Sequence, residues 1–246
     1  MNNNQSIFTF DGYTLVVHSL EGIPLDRRFV INTVSPNSYG ISLRDKAMDA
    51  ALRGSDFLIL DGVYFGWLPW FKYGKKIKRI TGWDSFRFFS TKMQETRGRV
   101  FFLGSSEATL QKIKENYRQD FPDVTVGTYS PPYKPEFSED DNQAMHKAIN
   151  DFKPDVLFVG MTAPKQEKWA FQNRDFLDVH IITTIGNVFD WYAGNSKRPD
   201  VFWQKIGMEW LVRIFLRPEI FRRNIGNQMI FFWHLFLYLT KIKKTW

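Results

Sequence analysis

The chain has 246 residues, 43% of them hydrophobic and 17% aromatic, enough for one large α/β domain with an appendage. It has no cysteine, which excludes disulfides, a thiol nucleophile and cysteine-ligated metal. A formal net charge of +7 calls for an anionic partner: nucleic acid, phospholipid or a phosphorylated substrate.

The opening residues, MNNNQSIFTFDGYTL, contain no basic segment leading into an apolar run. A secretory signal is therefore not expected, and the chain is expected to stay in the cytoplasm. A first buried strand is predicted over residues 29–34, ending in Ser35-Pro36-Asn37. Four further apolar runs follow: residues 55–60 into Asp61-Gly62, 99–103 into Gly104-Ser105-Ser106, 155–159 into Gly160, and 180–185 into Gly186-Asn187. Continuous apolar runs of this length suit strands covered on both faces. Between them, residues 43–53, 84–95, 107–120 and 140–152 carry apolar side chains at helical spacing. Alternation of the two patterns predicts βαβ units on a parallel sheet. Residues 127–139, with three prolines in TYSPPYKPEF, read as an irregular loop.

Ligands of open α/β sheets bind beyond the carboxyl ends of the strands, so these turns should build the site. Any one of the glycines, Gly62 and Gly104 included, is more simply explained as a tight strand-to-helix turn, and together they indicate only the sheet. Asp61 ends a buried run, and Gly62 lets the chain turn sharply after it. A carboxylate there suits a general base acting on a hydroxyl, although a plain Asp-Gly turn explains the same two residues. In Thr162-Ala163-Pro164-Lys165-Gln166-Glu167, Pro164 fits the first turn of a helix whose amide groups would suit a phosphate. Lys165 would add charge there and Gln166 hydrogen bonds. Arg79, just before a helix, suits a phosphate as well as it suits the surface. Asn187, Asp190 and Trp191 follow the last strand and could read a base or a sugar. Neither G-x-x-x-x-G-K-[ST] nor G-x-G-x-x-G is present, and the four histidines are scattered, so no metal site or nicotinamide site is expected.

From residue 197 onward there are ten basic residues against three acidic ones, which accounts for the whole positive excess. We divide the chain accordingly into an α/β domain, residues 1–196, and a basic, apolar appendage, residues 197–246. Residues 229–239 (MIFFWHLFLYL) would form a helix about 16 Å long, short of the roughly 20 apolar residues that a membrane span needs. A helix lying in the lipid interface with Arg and Lys on anionic head groups fits this pattern. A core or oligomer-interface helix is the alternative. A nucleic-acid partner fits less well, because the basic residues are interleaved with so apolar a run.

The segments INTVSPNSYG (31–40), LDG (60–62), RITGWD (79–84), VFFLGSS (100–106), APKQEKW (163–169), IGNVFDWYAG (185–194) and GMEWLVRIFLRPEIFRR (207–223) together resemble the WecG/TagA/CpsF family of bacterial glycosyltransferases. That resemblance implies a Rossmann-like parallel sheet flanked by helices, with a C-terminal helical appendage that associates with the membrane. It implies an inverting transfer of a hexose or N-acetylhexosamine-type sugar, such as N-acetylmannosamine, from a UDP-sugar to a polyprenyl-diphosphate-linked acceptor. No metal or other cofactor is implied, and the place of action would be peripheral, at the inner face of the cell membrane. On this likeness Asp61 matches the proposed catalytic base, Thr33 and Gln166 line the donor-sugar pocket, and Arg79 steadies the diphosphate. Asp190 and Tyr133 are matched to uridine contact. Arg213, Arg217, Arg222 and Arg223 match a basic appendage that grips the lipid diphosphate. Ser35, Thr162 and Asn187 depart from the family pattern, at positions that bear on the donor sugar. A non-catalytic nucleotide-sugar-binding or membrane-docking member of the same fold is the second reading, and a homo-oligomer is compatible with either.

Overall fold

The computed structural model describes residues 7–10, 13–61, 78–198 and 218–240. Eight strands form one sheet: β1 (Ile7–Phe10), β2 (Tyr13–Val16), β3 (Phe29–Val34), β4 (Phe57–Leu60), β5 (Arg99–Gly104), β6 (Thr125–Tyr129), β7 (Val156–Gly160) and β8 (Ile181–Thr184). The order across the sheet is β1-β2-β4-β3-β8-β7-β5-β6. Seven strands run parallel, and β1 alone pairs antiparallel, at one edge. The expected α/β architecture with a parallel sheet and covering helices is present.

The helices are α1 (Pro36–Ser42), α2 (Lys46–Arg53), α3 (Gly82–Thr96), α4 (Glu107–Asp120), α5 (Glu139–Phe152), α6 (Lys165–Asn173), α7 (Val188–Tyr192) and α8 (Pro218–Leu239). Strand alternation sends side chains to two separate cores. Phe29, Ile31, Phe57, Ile59, Val100, Phe102, Val156 and Phe158 meet α3, α4 and α7 on one face. Their neighbours in sequence meet α1, α2 and α8, or α5 and α6, on the other. Both faces are covered, which is why the strands read as unbroken apolar runs.

Several boundaries differ from the sequence expectation for local reasons. The helix expected over 43–53 begins at Lys46 as α2, and a separate helix, α1, precedes it. Ser35 caps α1 through a bond from the Ser38 amide, with Pro36 in the first turn. Asp45 then accepts from the amides of Ala47 and Met48 and starts α2 afresh. Capping boxes at Thr81 with Asp84 and at Ser138 with Asp141 start α3 and α5 earlier than apolar spacing alone indicated. Residues 127–129 belong to the edge strand β6 rather than to the loop, held by full parallel register against β5.

The tail helix α8 has two faces. Phe231 and Leu235 are buried with Leu15, Val34, Leu58 and Leu60 in the core of the sheet. Tyr39 Oη lies 2.7 Å from Nδ1 of His234, and Asn227 donates to the Asn37 side chain at 2.9 Å. The opposite face exposes Ile225, Met229, Trp233 and Phe236. At Gly40 α1 lies against α8, and a Cβ on it would stand 2.4 Å from the carbonyl oxygen of Asn227. In an unobstructed helix, Gly to Ala stabilises by up to about 1 kcal/mol. Here Gly40→Ala should destabilise instead, by about 1–3 kcal/mol, because two backbones must separate. Thermal unfolding checks the sign, and faster proteolysis within α8 should accompany it.

Candidate active site

Because seven strands are parallel, their carboxyl ends share one edge. Along it stand Asp61 after β4, Ser35 after β3, Gly186 and Asn187 after β8, Met161 after β7, and Ser105 after β5. From β5 the chain moves outward to β6, and from β7 inward to β8. Neighbouring strands whose connections diverge open a crevice above their ends. The glycines Gly104 and Gly160 are register partners there. Gly104 has φ +121°, and a Cβ on it would stand 2.3 Å from the Gly160 carbonyl oxygen, so the position accepts no side chain.

The Asp61 amide donates to the carbonyl of Val34 at 2.9 Å, which continues the β3–β4 ladder to the lip of the edge. Its residue is half-buried. One strand further, Thr33 Oγ1 donates to the carbonyl of Thr184 at 3.0 Å. Two strand spacings, about 10 Å, therefore separate Asp61 from the turn after β8. In that turn Gly186 adopts φ +51°, and both polar atoms of the Gln166 amide lie 3.5 Å from where its Cβ would be. Asp61, Thr33 and Gln166 are thus gathered at one edge by the topology of three adjacent strands and the start of α6.

The Gln166 side chain is held rigidly. Its Oε1 accepts from the Met161 amide at 3.3 Å, and its Nε2 donates to Glu167 at 2.8 Å. Glu167 is 1% exposed, and its second carboxyl oxygen has no hydrogen-bond partner among the described residues. Burial pushes this carboxyl up to about 7, against the opposing bond from Gln166. The Glu167 carbonyl faces the Asn32 amide nitrogen at 3.5 Å. Asn32 also donates to Ser55 and accepts from Thr184, both at 3.0 Å. A polar network inside the sheet therefore links β3, β8, α6 and Ser55 in the turn before β4. Glu167 and Asn32 received no role in the sequence reading. Their signal was a polar residue within an otherwise apolar strand, FVINTV, and an acid directly after Gln166.

The remaining expected residues are distributed as follows. Ser35 spends its hydroxyl on the α1 cap. The Lys165 ammonium donates to the Lys134 carbonyl and lies 3.6 Å from the Phe137 ring centre, which clips the proline-rich loop to α6. Tyr133, in that loop, is fully exposed. Asn187 is the residue before α7 and makes no side-chain cap. The carbonyl of Asp190 accepts from Asn195 and Ser196. Arg79 is half-buried immediately before α3. Arg222 is exposed on α8, and Arg223 lies on the same helix. Gly62, Arg213 and Arg217 lie outside the described residues. Among the described residues, no group of three His, Asp or Glu side chains is placed to hold a metal ion.

Glu167 gives the fold a pH dependence. Between the ordinary glutamate value of 4.5 and about 7, the folded chain keeps a proton that the unfolded chain has released. Stability therefore falls as pH rises through that window, by about 3 kcal/mol, and levels off above it. Glu167→Gln keeps the acceptor for Gln166 and removes the ionisation. The variant should melt several degrees above the parent at pH 8 and gain little near pH 4. An equal difference at both pH values would show that the buried acid is not neutral.

Residues 8–245 match the family described as Glycosyl transferase WecG/TagA/CpsF family. The chain is also similar to two characterised proteins, both named N-acetylglucosaminyldiphosphoundecaprenol N-acetyl-beta-D-mannosaminyltransferase. The one from Bacillus spizizenii is 28% identical over 228 residues, which cover 91% of this chain and 86% of the relative. The one from Bacillus subtilis is 24% identical over 215 residues, covering 87% and 82%. A match along nearly the whole length, on a parallel sheet whose carboxyl edge gathers Asp61, Thr33 and Gln166, places this chain in the WecG/TagA/CpsF family of glycosyltransferases.

Proposed function

We propose that this protein transfers an N-acetylhexosamine-type sugar, such as N-acetylmannosamine, from a UDP-sugar to a sugar carried on a polyprenyl diphosphate, with inversion at the anomeric carbon. The observation that carries this reading is the placement of Asp61 at the carboxyl edge, two strands from the turn that Gln166 supports. The similarity to transferases named for a diphosphoundecaprenol acceptor supports the substrate class.

In this reading Asp61 takes the proton of the acceptor hydroxyl. The acceptor oxygen bonds to the donor C1 while the C1–O bond to the diphosphate breaks on the opposite face. UDP departs with the bonding electrons, and Arg79 steadies its charge in place of a metal. Thr33 and Gln166 line the sugar pocket, and their fixed bonds keep the reacting geometry without reorganisation. Asp190 and Tyr133 are assigned to the uridine, and Tyr133 would have to approach the edge with its loop.

Asp61→Asn should lower turnover by about 100-fold or more while UDP binding persists. The assay offers a panel of UDP-sugars with a lipid-diphosphate N-acetylglucosamine analogue and reads product mass. Unchanged turnover removes Asp61 from its role, and absence of product with every donor rejects the transferase reading.

The acceptor lipid requires a membrane, and we assign its approach to the exposed face of α8 at the cytoplasmic surface of the cell membrane. No helix among the described residues is long and apolar enough to cross a bilayer. Met229, Trp233 and Phe236 are 60%, 59% and 52% exposed, and the Trp233 and Phe236 rings stack with centres 5.7 Å apart. An apolar stripe of this kind, beside Arg222, suits shallow insertion among anionic head groups. Deleting the helix would be a poor test, because Phe231 and Leu235 belong to the core. Trp233→Ser with Phe236→Ser should instead abolish sedimentation with anionic vesicles and leave the melting temperature unchanged. Undiminished sedimentation would dismiss this face as the membrane contact.

A further inference from the structure

A groove of about 300 Å³ opens between α3, α4 and α7. Three aromatic residues line it: Trp83, Trp191 and Tyr192. All three are half-buried, and they are held in place before any ligand arrives. Tyr192 packs on Phe86 with ring centres 4.7 Å apart and donates its hydroxyl to Asp120 at 2.9 Å. Asn116 donates to the Tyr192 carbonyl at 2.8 Å. The Arg198 guanidinium lies over Trp83 at 5.1 Å and over Trp191 at 5.6 Å, bridging the two indoles.

The polar lining is of a different kind. Arg87, Gln119 and Asp120 are exposed on the outer turns of α3 and α4. Arg87 and Gln119 have no hydrogen bond or ion pair among the described residues. Rigid indole and phenol rings beside an uncommitted guanidinium and amide, and a carboxylate that already holds Tyr192, match one ligand chemistry well. The C–H-rich face of a pyranose ring carries slight positive charge and packs on the negative face of an aromatic ring. Its ring hydroxyls both donate and accept, as an amide and a carboxylate–guanidinium rim require. The volume, at the small end for ligand sites, suits one sugar ring.

We propose that this groove is a carbohydrate-binding site that holds one pyranose ring, separate from the reacting edge. The separation follows from α4, a helix of about 20 Å. Its first residue, Glu107, follows the carboxyl end of β5, whereas Asn116, Gln119 and Asp120 lie in its last two turns. The polar wall of the groove therefore lies toward the far end of α4, while Trp83, near the start of α3, and Trp191, in the short α7, form the wall nearer the edge. This site does not depend on which donor the transfer uses.

The full chain labelled with fluorotryptophan, titrated with the methyl glycosides of mannose, glucose and N-acetylglucosamine, tests it by fluorine NMR. Trp83→Phe and Trp191→Phe assign the two resonances. These two should shift with a dissociation constant on the order of 1 mM, in the range expected for a ligand this small, while the other tryptophans stay put. The shift should persist with saturating UDP. Arg87→Ala with Gln119→Ala, both on exposed helix surface, should weaken binding by about fivefold or more with the fold intact. No shift with any glycoside, displacement by UDP, or unchanged affinity in the double variant would each overturn the proposal. None of these outcomes bears on the role of Asp61.

Discussion

Parallel pairing with both faces buried is the constraint from which the site arises. Each strand sends alternate side chains into two cores, so neither face can take on polar chemistry cheaply. What remains open to solvent and substrate is the edge where the strands end. Parallel direction puts seven carboxyl ends on that one edge. Asp61, Thr33 and the Gly186 turn come from residues far apart in sequence, yet they stand on three neighbouring strands. Gly104 then lets the chain turn where two connections diverge, and its register partner Gly160 leaves room for the Phe189 ring.

Beneath that edge the sheet departs from an apolar interior in one place. Asn32 joins Ser55, Thr184 and the Glu167 carbonyl, and Glu167 in turn holds the Gln166 amide. Polar groups at such depth are tolerated because they satisfy one another, and the cost of breaking one bond exceeds the value of making it. The network gives Gln166 and Thr33 fixed positions relative to each other. Burial raises the Glu167 carboxyl and so favours its neutral form, while its second oxygen has no partner among the described residues.

The tail helix reconciles two readings that the sequence left open. Its apolar run is both a core element and an exposed surface. Phe231 and Leu235 complete the core beside β2 and β4, while Met229, Trp233 and Phe236 stand outward half a turn away. A helix apolar around much of its circumference has that option only when one side is covered by its own protein. The close approach at Gly40 and the bonds from Asn37 and Tyr39 decide which side is covered.

Periodicity and turn chemistry are local properties, and they were legible in the sequence. The strands over 29–34, 55–60, 99–103, 155–159 and 180–185, the helix over 107–120, and Asp61 at a strand end all lie where apolar spacing put them, to within two residues. The short strands β1, β2 and β6 were not legible: four or five residues carry little pattern of their own, and β2 and β6 are fixed by parallel partners distant in sequence, β4 and β5. The partners of Lys165 were not legible either, because the loop carrying Lys134 and Phe137 lies about thirty residues away in sequence. The aromatic groove was invisible for the same reason, since its walls come from three helices that meet only on the folded sheet. The sequence by itself determined the elements and the residue types at their ends. Only tertiary packing decided which of those residues face one another and which polar groups are buried, because both depend on partners that chain order does not bring together.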